Sequence, residues 1–246
     1  LLTFLLVCFI IGACSPKSDF TVASPDGQIT AILKFDKELG TINYMVQSRN
    51  QEIVSSSPIG ISTSIGEFTS GMKLEGHSEQ TIDETYQLPQ GKASTYRNYA
   101  NEQKITLSKG GKDLNLLFRV YNDGVAYSYE IPGEGDIEFN SEISSINLSG
   151  ENFTYYGQNH PNRYGYESAL GPIDGDRMSN PVLAHVQDKN HYVLMGQAAT
   201  YGNYIQPHLQ RSGSSFTYSF PLDQEKIGPV RSTLPFKSPW RMVIIS

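Results

Sequence analysis

The sequence predicts an all-β protein, a single large antiparallel β-sandwich of many strands, and three observations carry that expectation. Apolar residues alternate with polar ones at period two in segment after segment, turn-forming residues recur at short intervals, and no stretch of a dozen residues keeps a 3.6-residue period without a Gly, Pro or β-branched interruption. Period two is the spacing of side chains on one face of a strand, so each alternating run marks a strand with one buried face.

The segments follow in order. Ser24-Pro25-Asp26-Gly27 forms a turn, and after it Ile29, Ala31, Leu33 and Phe35 share one face while Thr30 and Lys34 share the other. Ile42, Tyr44 and Val46 repeat the pattern. Asn122-Asp123-Gly124 is a hairpin turn leading into the clearest strand, where Val125, Tyr127, Tyr129 and Ile131 interleave with Ala126, Ser128 and Glu130. Pro132-Gly133-Glu134-Gly135 and Ile173-Asp174-Gly175-Asp176 read as further turns. Val182 to Val186 and Tyr192 to Met195 flank the polar turn Gln187-Asp188-Lys189-Asn190, and Phe216, Tyr218 and Phe220 form a late strand. No internal repeat or low-complexity linker breaks the series, so one domain spans residues 19–246.

The ends read differently. Residues 1–13 carry no charge, and Phe4 to Ile11 is an apolar run too short to span a bilayer as a mature helix. It ends in Ile11-Gly12-Ala13-Cys14, which resembles a bacterial lipobox, so residues 1–13 are expected to be a lipoprotein signal peptide. Cys14 would be the lipidated residue, residues 14–18 a short tether, and the protein an exported periplasmic or outer-membrane lipoprotein of a Gram-negative bacterium. Cys8 lies inside the leader, which excludes disulfides and cysteine-ligated metals from the folded part. The first methionine is Met45, and Trp240-Arg241-Met242-Val243-Ile244-Ile245 is an apolar run with a single polar tail residue, so the sequence reads as a piece of a longer chain.

The net charge is −6, with no run of Lys or Arg, which argues against a nucleic-acid groove. A Gly-x-Ser-x-Gly elbow and phosphate-cradling loops are both missing from the sequence. The five histidines show no metal-ligand spacing, and Asp174-Gly175-Asp176 lacks the later ligands of an EF-hand. Nor does the sequence place two carboxylates at glycosidase spacing, so catalytic residues are expected to be none.

One segment stands out by composition. Phe153, Tyr155, Tyr156, Tyr164 and Tyr166 surround Gln158, Asn159, His160, Asn162 and Arg163 and end at Glu167. Rings that stack on sugar faces, beside amides and a guanidinium that bond hydroxyls, suit a carbohydrate surface. A tyrosine-rich strand pair whose rings pack on the sheet fits the same residues, and both readings stay open.

Leu116-Leu117-Phe118-Arg119-Val120-Tyr121-Asn122-Asp123-Gly124-Val125-Ala126-Tyr127-Ser128-Tyr129-Glu130 resembles the signature of the amino-terminal domain of glycoside hydrolase family 97. Ser24-Pro25-Asp26-Gly27, Ser57-Pro58-Ile59-Gly60, Tyr166-Glu167 and Pro239-Trp240-Arg241 match in order along the chain. The resemblance implies a β-supersandwich of galactose-mutarotase-like architecture, placed before a catalytic (β/α)8 barrel and a small carboxy-terminal β domain. The family holds retaining α-galactosidases and inverting α-glucosidases, whose catalytic acids lie on the barrel.

It further implies that this domain packs on the barrel, faces the oligosaccharide substrate, and gives a glutamate to a calcium site. Glu167 matches by motif, and Gln197 stands where the family often has a glutamate, so its amide oxygen is the second expected calcium ligand. Tyr155, Tyr156, Asn159, His160, Arg163 and Tyr164 are the residues expected near sugar or the active site. A free-standing carbohydrate-binding lipoprotein is the alternative.

Overall fold

The protein is described from a computed structural model, which covers residues 18–91, 93–159, 168–170, 177–200, 202–220 and 229–246. In chain order the strands are β1 (Asp19–Ala23), β2 (Ile29–Asp36), β3 (Thr41–Ser48), β4 (Gln51–Ile59), β5 (Ile61–Thr63), β6 (Gly66–Phe68), β7 (Lys73–Gln87), β8 (Thr95–Lys109), β9 (Lys112–Tyr121) and β10 (Gly124–Glu142). They continue as β11 (Ser145–Leu148), β12 (Phe153–Asn159), β13 (Ser168–Leu170), β14 (Arg177–Val186), β15 (His191–Ala198), β16 (His208–Ser212), β17 (Ser215–Ser219), β18 (Val230–Lys237) and β19 (Trp240–Ile245). Among the described residues the one helical element is a 3₁₀ turn, Gln187–Lys189.

Among the described residues every pairing is antiparallel, and the ladders form two layers. The first runs β1-β2-β3-β4-β11-β17-β16, and the second runs β7-β8-β9-β10-β19-β15-β14-β12-β13. Strand β14 joins them, because Arg177 and Met178 pair with β16 while Val182 to Val186 pair with β15. Strand β10 also serves both. Its first half lies between β9 and β19, and its second half lies between β5 and β18.

The switch falls at Pro132-Gly133-Glu134-Gly135, expected above to be a turn. It is instead an irregularity inside one long strand, where the pairing with β18 skips from Ile131 to Gly135. Glycine frees the backbone for a bulge as readily as for a turn, and a bulge bends a strand without ending it.

The alternating residues meet between the layers. Ile29, Ala31, Leu33, Ile42, Tyr44 and Val46 from the first pack with Phe118, Val125, Tyr127, Tyr129, Val193 and Met195 from the second. The Tyr44 ring lies 5.5 Å from that of Phe118 and 5.7 Å from that of Tyr127, so β3 sits directly over β9 and β10. Gly124 is fixed by close approach, since a Cβ there would fall 2.2 Å from the Val243 carbonyl oxygen.

Candidate functional site

Strand β12 carries the start of the tyrosine-rich segment and splits it between two faces. Phe153 and Tyr155 point inward, their rings stacked 5.8 Å apart, and Tyr155 meets Phe216 edge-on at 5.2 Å. Only 2% of Tyr155 is exposed, so its ring is core. The Arg211 guanidinium lies 5.0 Å from that ring and donates to the Gly213 carbonyl oxygen at 2.9 Å. Beside them runs a cleft of about 510 Å³ bordered by Gly150, Glu151, Asn152 and Phe153. Tyr156, one residue on, turns to the outside and is paired with Leu183 of β14. Asn159 ends the strand; His160, Arg163, Tyr164 and Glu167 lie outside the described residues.

Gln197 is half-buried on the inward side of β15. Tyr127, Arg241 and Gln197 are cross-strand neighbours on β10, β19 and β15. The Arg241 guanidinium donates from Nη1 to Gln197 Oε1 at 2.8 Å, and from Nε and Nη2 to the two Glu142 carboxylate oxygens at 3.1 and 2.6 Å. It lies 4.6 Å from the Tyr218 ring centroid and 5.5 Å from that of Tyr204, whose hydroxyl donates to Glu142 at 3.3 Å. Arg241 is 1% exposed. Burial works against its charge, and the adjoining Glu142 carboxylate overrides that and holds the guanidinium protonated. Burial also pushes the Tyr204, Tyr129 and Tyr218 phenols up, with Glu142 adding to the effect.

This environment bears on calcium. The Gln197 oxygen is occupied by a guanidinium, and a cation set beside it would meet Arg241 at hydrogen-bond range. In this arrangement Gln197 does not fit a calcium site. Among the described residues no group of three or more His, Cys, Asp or Glu side chains gathers to hold a metal.

The outer surfaces of the two layers differ. On the first, the outward residues are mostly polar, Thr30 and Lys34 on β2, Asn43 and Gln47 on β3, and Ser215, Thr217 and Ser219 on β17, and the cross-strand pair Ile32 and Met45 is the apolar exception among them. On the second, the row Tyr121, Gly124, Ile244, Leu194, Leu183 and Tyr156 crosses six strands with no charged residue. Beside it, small Gly124 and Ala126 lie low between Tyr121, Trp240, Met242 and Ile244, leaving a largely apolar slot of about 260 Å³ with Asp123 as its one charged lining residue.

A charged group borders the slot. Arg119 Nε donates to Glu102 Oε2 at 2.6 Å, Gln80 Nε2 donates to Glu102 Oε1 at 2.6 Å, and the Arg119 guanidinium lies 4.3 Å over the Trp240 ring. Lys237 Nζ is 5.5 Å from the same ring and bonds Glu130 at 3.0 Å. Sequence reading used Arg119 and Trp240 only as motif letters. The available signal was the apolar run from Trp240 to Ile245, which belongs to an interior strand bearing apolar residues on both faces.

A probable retaining α-galactosidase of Streptomyces bingchenggensis is 26% identical over 241 residues, which is 95% of this chain and 36% of that protein. A retaining α-galactosidase of Bacteroides thetaiotaomicron is 32% identical over 145 residues, 58% of this chain and 21% of that protein. The chain thus spans about a third or less of the curated relatives it matches. A family 97 glycoside hydrolase from Pseudoalteromonas sp. strain K8, solved in complex with panose, superposes with a TM-score of 0.80 at 23% identity, covering 92% of this chain and 35% of that one. A β-arabinopyranosidase superposes with a TM-score of 0.81 at 23% identity, covering 92% and 40%. Residues 22–246 match the family described as Glycosyl-hydrolase 97 N-terminal, and the chain belongs to that family.

Proposed function

We propose that this sandwich is the non-catalytic amino-terminal part of an exported α-glycosidase of family 97 type, and that it packs on the catalytic (β/α)8 barrel of the same polypeptide through the outer face of its second layer. The observation that carries this is the contrast between the two outer faces. A sheet that meets water on one side is polar there, whereas this second face presents an uncharged row and a slot sized for a side chain. Filling such a slot with one Leu- or Phe-sized group contributes about 1.5–3 kcal/mol.

Tyr156 stands at one end of the apolar row, and in this reading it and Asn159, His160, Arg163 and Tyr164, which follow it in the sequence, are the residues offered to the oligosaccharide. Glu167 is the residue offered to calcium there. Gln197 joins it only by giving up Arg241. Cys14 ties the enzyme to a membrane by its lipid.

The test is an assay of p-nitrophenyl α-glucoside and α-galactoside with the full-length polypeptide and with residues 19–246. Turnover is expected from the full-length protein and none from the shorter one. Turnover by residues 19–246 alone would overturn the assignment, and oligosaccharide binding by them without any barrel would favour the free-standing binding protein.

A further inference from the structure

The longest hairpin reaches beyond the body of the sandwich. Strands β7 and β8 stay paired from Lys73↔Ser108 to Gln87↔Thr95, but β9 accompanies β8 only as far as Asn101↔Val120, and β1 ends at Ala23, whose carbonyl accepts from Asn101 Nδ2 at 2.9 Å. The six pairs from Ile82↔Ala100 to Gln87↔Thr95 therefore have no neighbouring strand among the described residues. Ala100 is still buried and Asn98 accepts from Tyr121 Oη of β9 at 3.0 Å, so the last three pairs, Thr85↔Arg97 to Gln87↔Thr95, are those that project, by about 10 Å at about 3.3 Å per residue.

The two faces of this arm are unlike. On the side continuous with the inner face, Arg97 donates from Nε and Nη2 to the two Asp83 oxygens at 2.7 and 2.8 Å, and its guanidinium lies 4.0 Å over the Tyr99 ring. Charge and ring are satisfied within the arm. On the other side Tyr86 and Tyr96 stack at 5.8 Å, with Leu88 beyond them at the turn; behind them comes the pair Glu84 and Asn98, whose Nδ2 donates to the Glu84 carboxylate at 3.1 Å, and then Ile82. Tyr86 is 47% exposed and Leu88 42%. That side continues into the outer face of the second layer, since Gln80, Glu102 and Arg119 link it to Trp240. An isolated two-stranded ribbon is marginally stable in water, and its bare aromatic side lies on the same side of the molecule as the apolar row.

We propose that the β7–β8 arm is a docking arm that lies along the catalytic portion of the same polypeptide with its Ile82, Tyr86, Leu88 and Tyr96 side. The inference rests on the reading above that this portion covers the second layer. The occupant follows from continuity of the arm with that face and from length, because this chain accounts for only 36% of its Streptomyces relative and leaves most of such a polypeptide to meet the sandwich.

Hydroxyl-radical footprinting of the full-length polypeptide tests it, with rates corrected for each side chain's intrinsic reactivity and with Leu39, 64% exposed in the β2–β3 turn, as the open reference. Tyr86, Leu88 and Tyr96 are expected to react at least about fivefold more slowly than Leu39, alongside Trp240 and Met242, at every protein concentration. Protection of Trp240 and Met242 with Tyr86 and Leu88 as reactive as Leu39 would overturn the arm and leave the face intact. Protection of the arm that vanishes on dilution would assign it to a second copy and overturn the proposal. Reactive Trp240 and Met242 would remove the reading on which it rests.

Discussion

Arg241 and Arg119 lie on opposite sides of one sheet, and each is held by a glutamate, has a glutamine alongside and rests against an aromatic ring. Inside, Arg241 meets Glu142, Gln197, Tyr218 and Tyr204, and the pair is closed to water, with side-chain exposures of 1% and 0%. Outside, Arg119 meets Glu102, with Gln80 on the same carboxylate and Trp240 below, and its side chain keeps 16% exposure. The same chemistry therefore serves two ends. The inner cluster joins β10, β15 and β19 to the Tyr204 loop and acts on the fold. The outer one stiffens the rim of an apolar slot and leaves it open, as a surface waiting for cover would require.

The widest separation between the two is expected on truncation. Arg241→Leu strands the Glu142 carboxylate in the core and is expected to cost about 3–5 kcal/mol, read as a lowered urea midpoint. Replacing both partners, Glu142→Leu with Arg241→Met, removes the uncompensated charge and is expected to recover most of that loss. A double variant as unstable as the single one would mean that the cluster contributes through more than its ion pair.

Alkaline pH acts on the buried phenols in and around the inner cluster. Tyr44, Tyr127, Tyr129, Tyr204 and Tyr218 all have phenols raised above their ordinary value, by burial first. The unfolded chain then releases these protons before the folded one does. Their contribution to stability is whole below about pH 10 and is lost as pH rises above it, by up to about 1.4 kcal/mol per pH unit for each phenol. Thermal melts between pH 8 and pH 12 read the slope as a falling Tm. Tyr→Phe at Tyr204 and Tyr218 is expected to flatten it.

Much of this organisation is legible in the sequence, and what escapes does so for physical reasons. Ile29 to Phe35 announces itself because one face is buried and the other is not, and Val125 to Ile131 does so although both its faces are largely buried, because its outer face carries the small or polar Ala126, Ser128 and Glu130. The distal part of β7 gives no such signal, since Glu79 to Gln87 is exposed on nearly every residue and so shows no alternation. Tyr155 and Tyr156 are adjacent letters with opposite fates, which only the pairing of β12 with β14 decides. Glu142 and Arg241 are 99 residues apart, and nothing local in either segment points to the other. Glu167 lies outside the described residues, so the metal expectation rests on motif alone.

The smallest effect concerns the outer pair itself. Arg119→Ala removes a hydrogen bond to Glu102 and a cation resting on Trp240, while Gln80 still holds one carboxylate oxygen and water can reach the other through the vacated space. With Arg119 16% exposed and Glu102 3% exposed under it, truncation that lets water in to the carboxylate is expected to cost about 1–2 kcal/mol, with the stacking on Trp240 accounting for about 0.5–1 kcal/mol of it. Measured by urea unfolding, that is well below the loss at Arg241. In the full-length polypeptide the same substitution sits at the rim of the proposed interface, where water is excluded and the uncovered Glu102 charge counts for more. The loss is therefore expected to be larger there than in residues 19–246 alone. An equal loss in both would show that the outer cluster works for the sheet, as the inner one does, and not for what covers it.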